Sequence, residues 1–347
     1  MASSSAPTTM RAWQYSATKG GLEKNLKLNP GAAIPTPQPT QNLVQVLYVA
    51  LNPTDYKSAE ALLLGRFLIP KPATPVLDFA GAIVVPATGS TFKRGDLVFG
   101  VSGRTPLGGA GALREFALTE KNCTVALPEG VDARDAATIP VAGLTAYQTI
   151  VPHVKKGDRI FINGGSGGTG VFGIQIGKAV GCQVTTTCSG ANVELCKSLG
   201  ADEVLDYKKG NVVDALKASG EKYDLIIDNV GSNWDLYWRA HEYSKPGVQY
   251  IMVGGIPTFR TIWERIKIAC IPGFLGGGQR KFTGFLTTPE PDEALRIANW
   301  MKEGKVKAVV DSKFAFEDAP KAFERLRTGR AKGKIVVDVA SETYQKP

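Results

Sequence analysis

The strongest constraint on this chain is a ten-residue run, Phe161-Ile162-Asn163-Gly164-Gly165-Ser166-Gly167-Gly168-Thr169-Gly170. Gly165, Gly167 and Gly170 form G-x-G-x-x-G directly after an apolar, strand-like segment and at the head of a helix-like one. The first glycine permits a tight turn, the second lets the backbone approach a pyrophosphate, and the third lets helix pack on strand. Phosphates then face unpaired N–H groups at the positive end of the helix. Strand, helix and following strand stand at the required spacing. The run therefore predicts a dinucleotide cradle over Gly165, Ser166, Gly167, Gly168, Thr169 and Gly170.

The next strand bears on which dinucleotide. A site for an unphosphorylated ribose carries Asp or Glu about 20 residues on. Here the chain reads Thr187-Cys188-Ser189-Gly190-Ala191-Asn192, with no carboxylate before Glu194. A carboxylate would repel a 2′-phosphate, whereas Ser189 and Asn192 can donate hydrogen bonds to one, and Lys208 and Lys209 follow the next strand. Both residue types also cap helices well, and the two roles are compatible. The expected cofactor is NADPH.

Periodicity changes character twice along the chain. Up to about residue 130, short β-type segments such as Leu43 to Val49, Ala80 to Val85 and Leu97 to Val101 are broken by Gly and Pro. They predict an irregular, mostly antiparallel β domain. From Ala133 to about Thr287, strands alternate with helices. The predicted strands are Arg159 to Asn163, Gln183 to Thr187, Glu203 to Leu205, Leu225 to Asn229, Tyr250 to Val253 and Lys281 to Phe285; the predicted helices are Gly168 to Val180 and Asn192 to Leu199. Such alternation implies an α/β fold with a doubly wound parallel sheet. Helices over Pro291 to Glu303 and Glu317 to Arg327 follow, and a strand over Lys334 to Val339 rejoins the β domain. The predicted domains are residues 1–132 with 288–347, and residues 133–287. Met1 to Met10 reads as a frayed tail. Ile271 to Gly278 is too glycine-rich for a regular element and reads as a mobile lid or a surface loop.

Composition removes several function classes. Across 347 residues, 43% hydrophobic and 21% charged, no uncharged apolar run of about 18 residues occurs, so no transmembrane segment is expected. The net charge of +9 is spread thinly, with no basic run longer than two residues. That fits attraction for a phosphate-bearing cofactor, with peripheral membrane contact left open, and no nucleic-acid partner is expected. Five scattered cysteines without a C-x-x-C pair fit a reducing, cytoplasmic compartment. With only His153 and His241 and no clustered cysteines, neither a catalytic nor a structural zinc set can be assembled, so no metal is expected. The only G-x-S-x-G match, Gly164 to Gly168, is the glycine loop itself, and no sign of a hydrolytic triad accompanies it.

Eight blocks in one order resemble the medium-chain dehydrogenase/reductase superfamily, in its zinc-independent quinone oxidoreductase branch. They are Leu51-Asn52-Pro53-Thr54-Asp55-Tyr56-Lys57, Asp78-Phe79-Ala80-Gly81, Gly95-Asp96-Leu97-Val98-Phe99-Gly100, Gly111-Ala112-Leu113-Arg114-Glu115-Phe116, Ala142-Gly143-Leu144-Thr145-Ala146-Tyr147, the glycine loop, Ser198-Leu199-Gly200-Ala201-Asp202 with Asp206-Tyr207, and Gly333-Lys334-Ile335-Val336. The resemblance implies a GroES-like β domain from both chain ends with an inserted Rossmann-type domain. It implies that Asn52, where zinc-dependent relatives have a metal-binding cysteine, contacts the nicotinamide end. It places Ser189, Asn192 and Tyr207 in the 2′-phosphate pocket, Val253 and Gly254 against the carboxamide, and Gly333 and Lys334 in a segment closing over the cofactor. This chain departs from many relatives in having Val76-Leu77-Asp78 where they have Gly-Xaa-Asp.

The resemblance further implies hydride transfer to a small enone, enal or enoyl substrate, or to a quinone, by a monomer or homodimer. Without a metal, the developing enolate oxygen needs preorganised hydrogen-bond donors. Tyr56 and Lys57 lie where relatives have cleft-facing residues and are the catalytic candidates. The bland readings are that Tyr56 packs and Lys57 pairs with a surface carboxylate. A low-turnover NADPH-binding protein with a structural, RNA-binding or membrane-surface role is the reading from a different class.

Overall fold

A computed structural model describes residues 8–61, 64–103, 106–254, 259–275 and 277–340. The chain divides into two compact units, Met1–Leu144 with Thr288–Gly304 and Ala308–Pro347, and Thr145–Thr287 with Lys305–Lys307.

The first unit opens on β1 (Thr9–Gln14), paired antiparallel with β2 (Lys27–Ala33). Its longest strand, β3 (Gln41–Leu51), is largely buried because other strands flank it on both edges. α1 (Pro53–Glu60) follows at once, with Pro53 at its first position, where the missing N–H costs nothing. β4 (Asp78–Val85), β5 (Leu97–Val101), β6 (Phe116–Glu120) and β7 (Thr124–Ala126) extend the antiparallel sheet. α2 (Ala133–Ala136) and the wide turn Ile139–Gly143 pack on β4 and β5. The division between units therefore falls at Leu144, beyond the expected boundary at residue 132.

After α3 (Leu144–Ile150), the second unit alternates β8 (Arg159–Asn163), α4 (Gly168–Ala179), β9 (Gln183–Cys188), α5 (Val193–Ser198), β10 (Glu203–Asp206), α6 (Val212–Ala218), β11 (Leu225–Asp228), α7 (Asp235–Trp238), β12 (Gln249–Met252), α8 (Phe259–Cys270) and β13 (Lys281–Gly284). All six strands are parallel, in the order β10-β9-β8-β11-β12-β13. Strand order thus reverses between β8 and β11, the switch point at which doubly wound sheets take ligands. β8 and β11 are apolar almost throughout, as strands covered on both faces must be. Phe161, Tyr223, Tyr243 and Tyr250 form the aromatic centre of this unit's core.

The chain then completes the first unit with α9 (Pro291–Lys302), β14 (Val310–Ala315), α10 (Ala319–Arg327) and β15 (Lys334–Asp338). β15 pairs antiparallel with β3, setting Ile335 opposite Leu51, and β14 runs parallel to β15. The large sheet reads β14-β15-β3-β4-β5-β7, with β6 also on β3. Its core is built from Val44, Val46, Phe79, Phe316, Phe323 and Ile335.

The strands predicted for both domains are present within a residue or two of their expected ends. β14 and the helices α1, α2, α3, α6, α7 and α8 have no counterpart among the elements expected from the sequence. Met10, assigned to a frayed tail, is buried on β1 with Ala12 and Ala32. Within Ile271 to Gly278, Gly273–Leu275 forms a single 3-10 turn, and Gly276 lies outside the described residues.

Candidate cofactor cradle and buried charge cluster

The glycine loop is fixed from below by side chains at the carboxyl ends of four strands. Gly165 N donates to Thr187 O at 2.8 Å, and Gly164 N donates to the Thr187 hydroxyl at 2.9 Å. That hydroxyl donates to Asn163 Oδ1 at 2.6 Å, and Asn163 Nδ2 donates to Asp228 Oδ1 at 2.7 Å. Asp228 also accepts the Tyr250 hydroxyl at 2.8 Å and the N–H groups of Val230 and Gly231, both at 2.9 Å. Burial and the neighbouring carboxylate push the Tyr250 hydroxyl well above the usual tyrosine range, so it stays a donor. This network escaped the sequence reading; its only signal was a polar residue ending each apolar strand.

Glycine is required at two loop positions by space. A Cβ on Gly165 would collide with the Thr186 side chain, and one on Gly170 would collide with Gly164 O and stand 2.7 Å from Gly165 Cα. Gly167 differs, since a Cβ there would meet only Gly164 O, at 3.6 Å. Space above Gly167 is left for a ligand.

The other expected contacts of this unit lie around the loop. Ser166 Oγ accepts from Asn192 Nδ2 at 3.0 Å, whereas Asn192 Oδ1 is buried without a partner. Neither Ser189 nor Asn192 makes a side-chain capping bond, although each stands at a helical N-cap. Tyr207 is mostly exposed, and its N–H donates to Cys188 O at 3.2 Å. Val253 and Gly254 both donate to Asp228 O, at 2.9 and 3.2 Å. They stand beside Asn229, whose Oδ1 is another buried acceptor without a partner. Two orphaned amide oxygens, an open Gly167 and a helix N-terminus fit a bound dinucleotide. Asp206, passed over in the sequence, lies against Gly190 and accepts Lys208 N at 3.0 Å.

The first unit holds a second cluster. Asn52 caps the start of α1; its N–H donates to Asp55 Oδ2 at 2.6 Å and its Nδ2 donates to Asp78 Oδ2 at 2.8 Å. Lys334 Nζ donates to Leu51 O at 3.0 Å, to Asn52 Oδ1, and to Asp78 Oδ2 at 3.4 Å. Asp55 also accepts Leu77 N at 3.2 Å and lines a cavity of about 100 Å³ with Tyr15, Thr74 and Ser102. Burial, then the Asp78 charge, pushes the Asp55 carboxyl up to about 7. Lys334, expected in a segment closing over the cofactor, thus points into the unit's interior.

Gly333 precedes it with a positive φ, packed where a Cβ would collide with Val309 O. Val76, the departure noted in the sequence, is buried and holds φ at 76°. A glycine takes that conformation freely and a β-branched residue does not.

Tyr56 and Lys57, neighbours on α1, have different surroundings. The Arg327 guanidinium lies over the Tyr56 ring, 4.6 Å from its centre, and is tied to Glu60 and to Glu23, the latter at 2.8 Å. Lys57 is half-buried, shows no carboxylate partner among the described residues, and its ammonium is pushed down by burial.

Among the described residues, no three His, Cys, Asp or Glu side chains come together as a metal site. At Asn52 the available donors already surround the Lys334 ammonium, a set that does not fit a metal cation.

A parallel sheet with a glycine cradle at its switch point, in a chain that also carries a β-rich unit drawn from its N- and C-terminal parts, defines a nicotinamide-dependent oxidoreductase. Residues 38–129 match the alcohol dehydrogenase GroES-like domain family, and residues 199–337 match the zinc-binding dehydrogenase family. The chain is 45% identical to a trans-enoyl reductase of Aspergillus terreus over 99% of each chain. It is 32% identical to a chloroplastic quinone-oxidoreductase homologue of Spinacia oleracea over 96% of this chain and 99% of that one. The quinone oxidoreductase structure from Coxiella burnetii superposes with a TM-score of 0.81 at 27% identity, covering 95% of this chain and 99% of that one. The chain belongs to the medium-chain dehydrogenase/reductase superfamily, whose members bind a nicotinamide cofactor.

Proposed function

We propose that the chain is an NADPH-dependent, zinc-independent reductase acting on the C=C bond of small α,β-unsaturated carbonyl compounds, enoyl substrates among them. Gly165 to Gly170 hold the pyrophosphate, with Asn229, Val253 and Gly254 about the nicotinamide ribose and carboxamide. Ser189, Asn192, Tyr207 and Lys208 receive the 2′-phosphate, with the Asp206 carboxylate held aside by Lys208 N. When bound, the reduced nicotinamide supplies the hydride. Lys57 supplies the hydrogen bond or proton at the substrate's carbonyl oxygen, for which a desolvated, unpaired ammonium is suited. Tyr56 supports α1 beneath Arg327, and Asn52 is held in one orientation by Asp78 and Lys334.

The observation that carries the NADPH reading is the pair Ser189 and Asn192, which stand at N-caps and cap nothing. The likeness to a trans-enoyl reductase supports the enoyl class, and the quinone oxidoreductase homologues support quinones as the second reading. Consumption of NADPH and of NADH should be followed with enals, enones, enoyl thioesters and quinones. Preference for NADH, or turnover with quinones alone, would overturn the first reading, and stoichiometric zinc in the purified enzyme would overturn the metal-free one.

A further inference from the structure

Helix α8 is amphipathic in the reverse sense for a surface helix. At roughly 100° per residue, Phe259, Ile262, Trp263, Ile266 and Cys270 fall on one stripe. That stripe faces solvent, with Phe259 85%, Ile262 52%, Trp263 53% and Ile266 46% exposed. The opposite side, turned to the protein, carries Thr261, Glu264 and Ile268. Glu264 is held there by the Trp238 indole N–H at 2.9 Å and by Lys267 Nζ at 2.7 Å. A polar anchor therefore fixes the helix with its apolar side outward, and scattered surface exposure does not produce such an ordered stripe. Leu275 and Leu286, in the same stretch of chain, are also exposed, at 67% and 90%.

Charge completes the pattern. By the same helical geometry, Arg260 and Lys267 flank one edge of the stripe and Arg265 the other. Between Phe259 and Leu286 the sequence holds five Lys and Arg residues against the single Glu264. Arg260 and Arg265 have no carboxylate partner among the described residues. A large apolar face edged by cations, with aromatic residues on it, is the form of a helix lying in the plane of a bilayer interface. The long basic side chains can then keep their charges at phosphate depth while their stems cover apolar surface.

We infer that α8 docks this protein on an anionic phospholipid surface, with Phe259, Ile262, Trp263 and Ile266 among the acyl chains and Arg260 and Arg265 at the phosphates, while Lys267 stays on Glu264. A second copy of the chain fits this face less well, because it would bring two like-charged segments together. The inference does not rest on the enzymatic reading.

Sedimentation of the full-length protein with vesicles tests it, using phosphatidylcholine alone and phosphatidylcholine mixed with phosphatidylserine. Binding to the mixed vesicles is expected, weakened by salt. Trp263 emission should shift to the blue there, a shift that Trp263→Ser removes; Trp13, Trp234 and Trp300 are buried, and the half-buried Trp238 is held under Glu264. Trp263→Ser with Ile266→Ser, and separately Arg260→Glu with Arg265→Glu, should each weaken binding at least about tenfold while keeping the wild-type melting temperature. The charge-reversal pair keeps the test decisive should the polar pair fold poorly. Absence of binding to phosphatidylserine vesicles, or binding that both double variants retain, overturns the inference. So does a concentration-dependent self-association, or capture of an acidic protein, that the variants lose in place of lipid binding.

Discussion

Lys334 Nζ lies 3.4 Å from Asp78 Oδ2 in the interior of the first unit, with side-chain exposures of 2% and 0%. The two residues stand on neighbours of the central strand, β15 and β4, and the Asn52 amide links them from its end. A pair so buried stabilises little in net terms, because desolvation offsets the attraction, but breaking it leaves an uncompensated charge. Asp78→Leu alone should cost roughly 3–5 kcal/mol. Asp78→Leu combined with Lys334→Met should recover much of that loss. Urea unfolding of both variants checks this, and a double variant no more stable than the single one would contradict it.

Val76 offers a test of backbone strain. Its left-handed φ costs on the order of 1–3 kcal/mol, while its buried side chain contributes packing. Val76→Ala gives up contacts and keeps the strain, and should lose about 1–2 kcal/mol. Val76→Gly gives up slightly more contact but relieves the strain, and should match or exceed the alanine variant. That ranking reverses the usual order of the two residues away from positive φ. Thermal midpoints of the pair decide it.

The two loop glycines should separate binding from folding. Gly167→Ala has room within the chain, so its melting temperature should stay within about 2 °C of wild type, corresponding to well under 1 kcal/mol. Its affinity for NADPH should fall by an order of magnitude or more, about 1.4 kcal/mol, because the methyl group enters the ligand's space. Gly170→Ala meets backbone and should lose both stability and affinity. Calorimetric titration alongside thermal melts distinguishes them, and unchanged NADPH affinity in Gly167→Ala would displace the pyrophosphate from this loop.

Lys57 should set the alkaline limb of the pH profile. Its ammonium must be protonated to donate, and burial lowers its pKa below the ordinary lysine value. Turnover is therefore high below that lowered value and falls as pH rises through it. Lys57→Met should lose about a hundredfold in kcat and the alkaline limb with it. Tyr56→Phe should keep both, since its ring serves as a platform for Arg327. A Lys57→Met profile with the limb intact would assign the proton to another group.

What the sequence determined by itself was whatever short-range pattern encodes. The spacing of Gly165, Gly167 and Gly170, the apolar runs of β8 and β11, and their alternation with helices fix a dinucleotide-type unit, because periodicity and turn chemistry act within a few residues. The resemblance of the Asn52 block to its relatives marked those residues, but neither the helix α1 that they form nor what its side chains meet. Only the tertiary structure decided that Asn52, Asp78 and Lys334 converge, since 282 residues separate Asn52 from Lys334 and strand pairing alone joins them. It also decided that Asn163, Thr187, Asp228 and Tyr250 share one network, for the same reason. α8 shows the limit most plainly. Its period marks an apolar stripe, but which way a stripe faces depends on what anchors the other side, here Glu264 against Trp238.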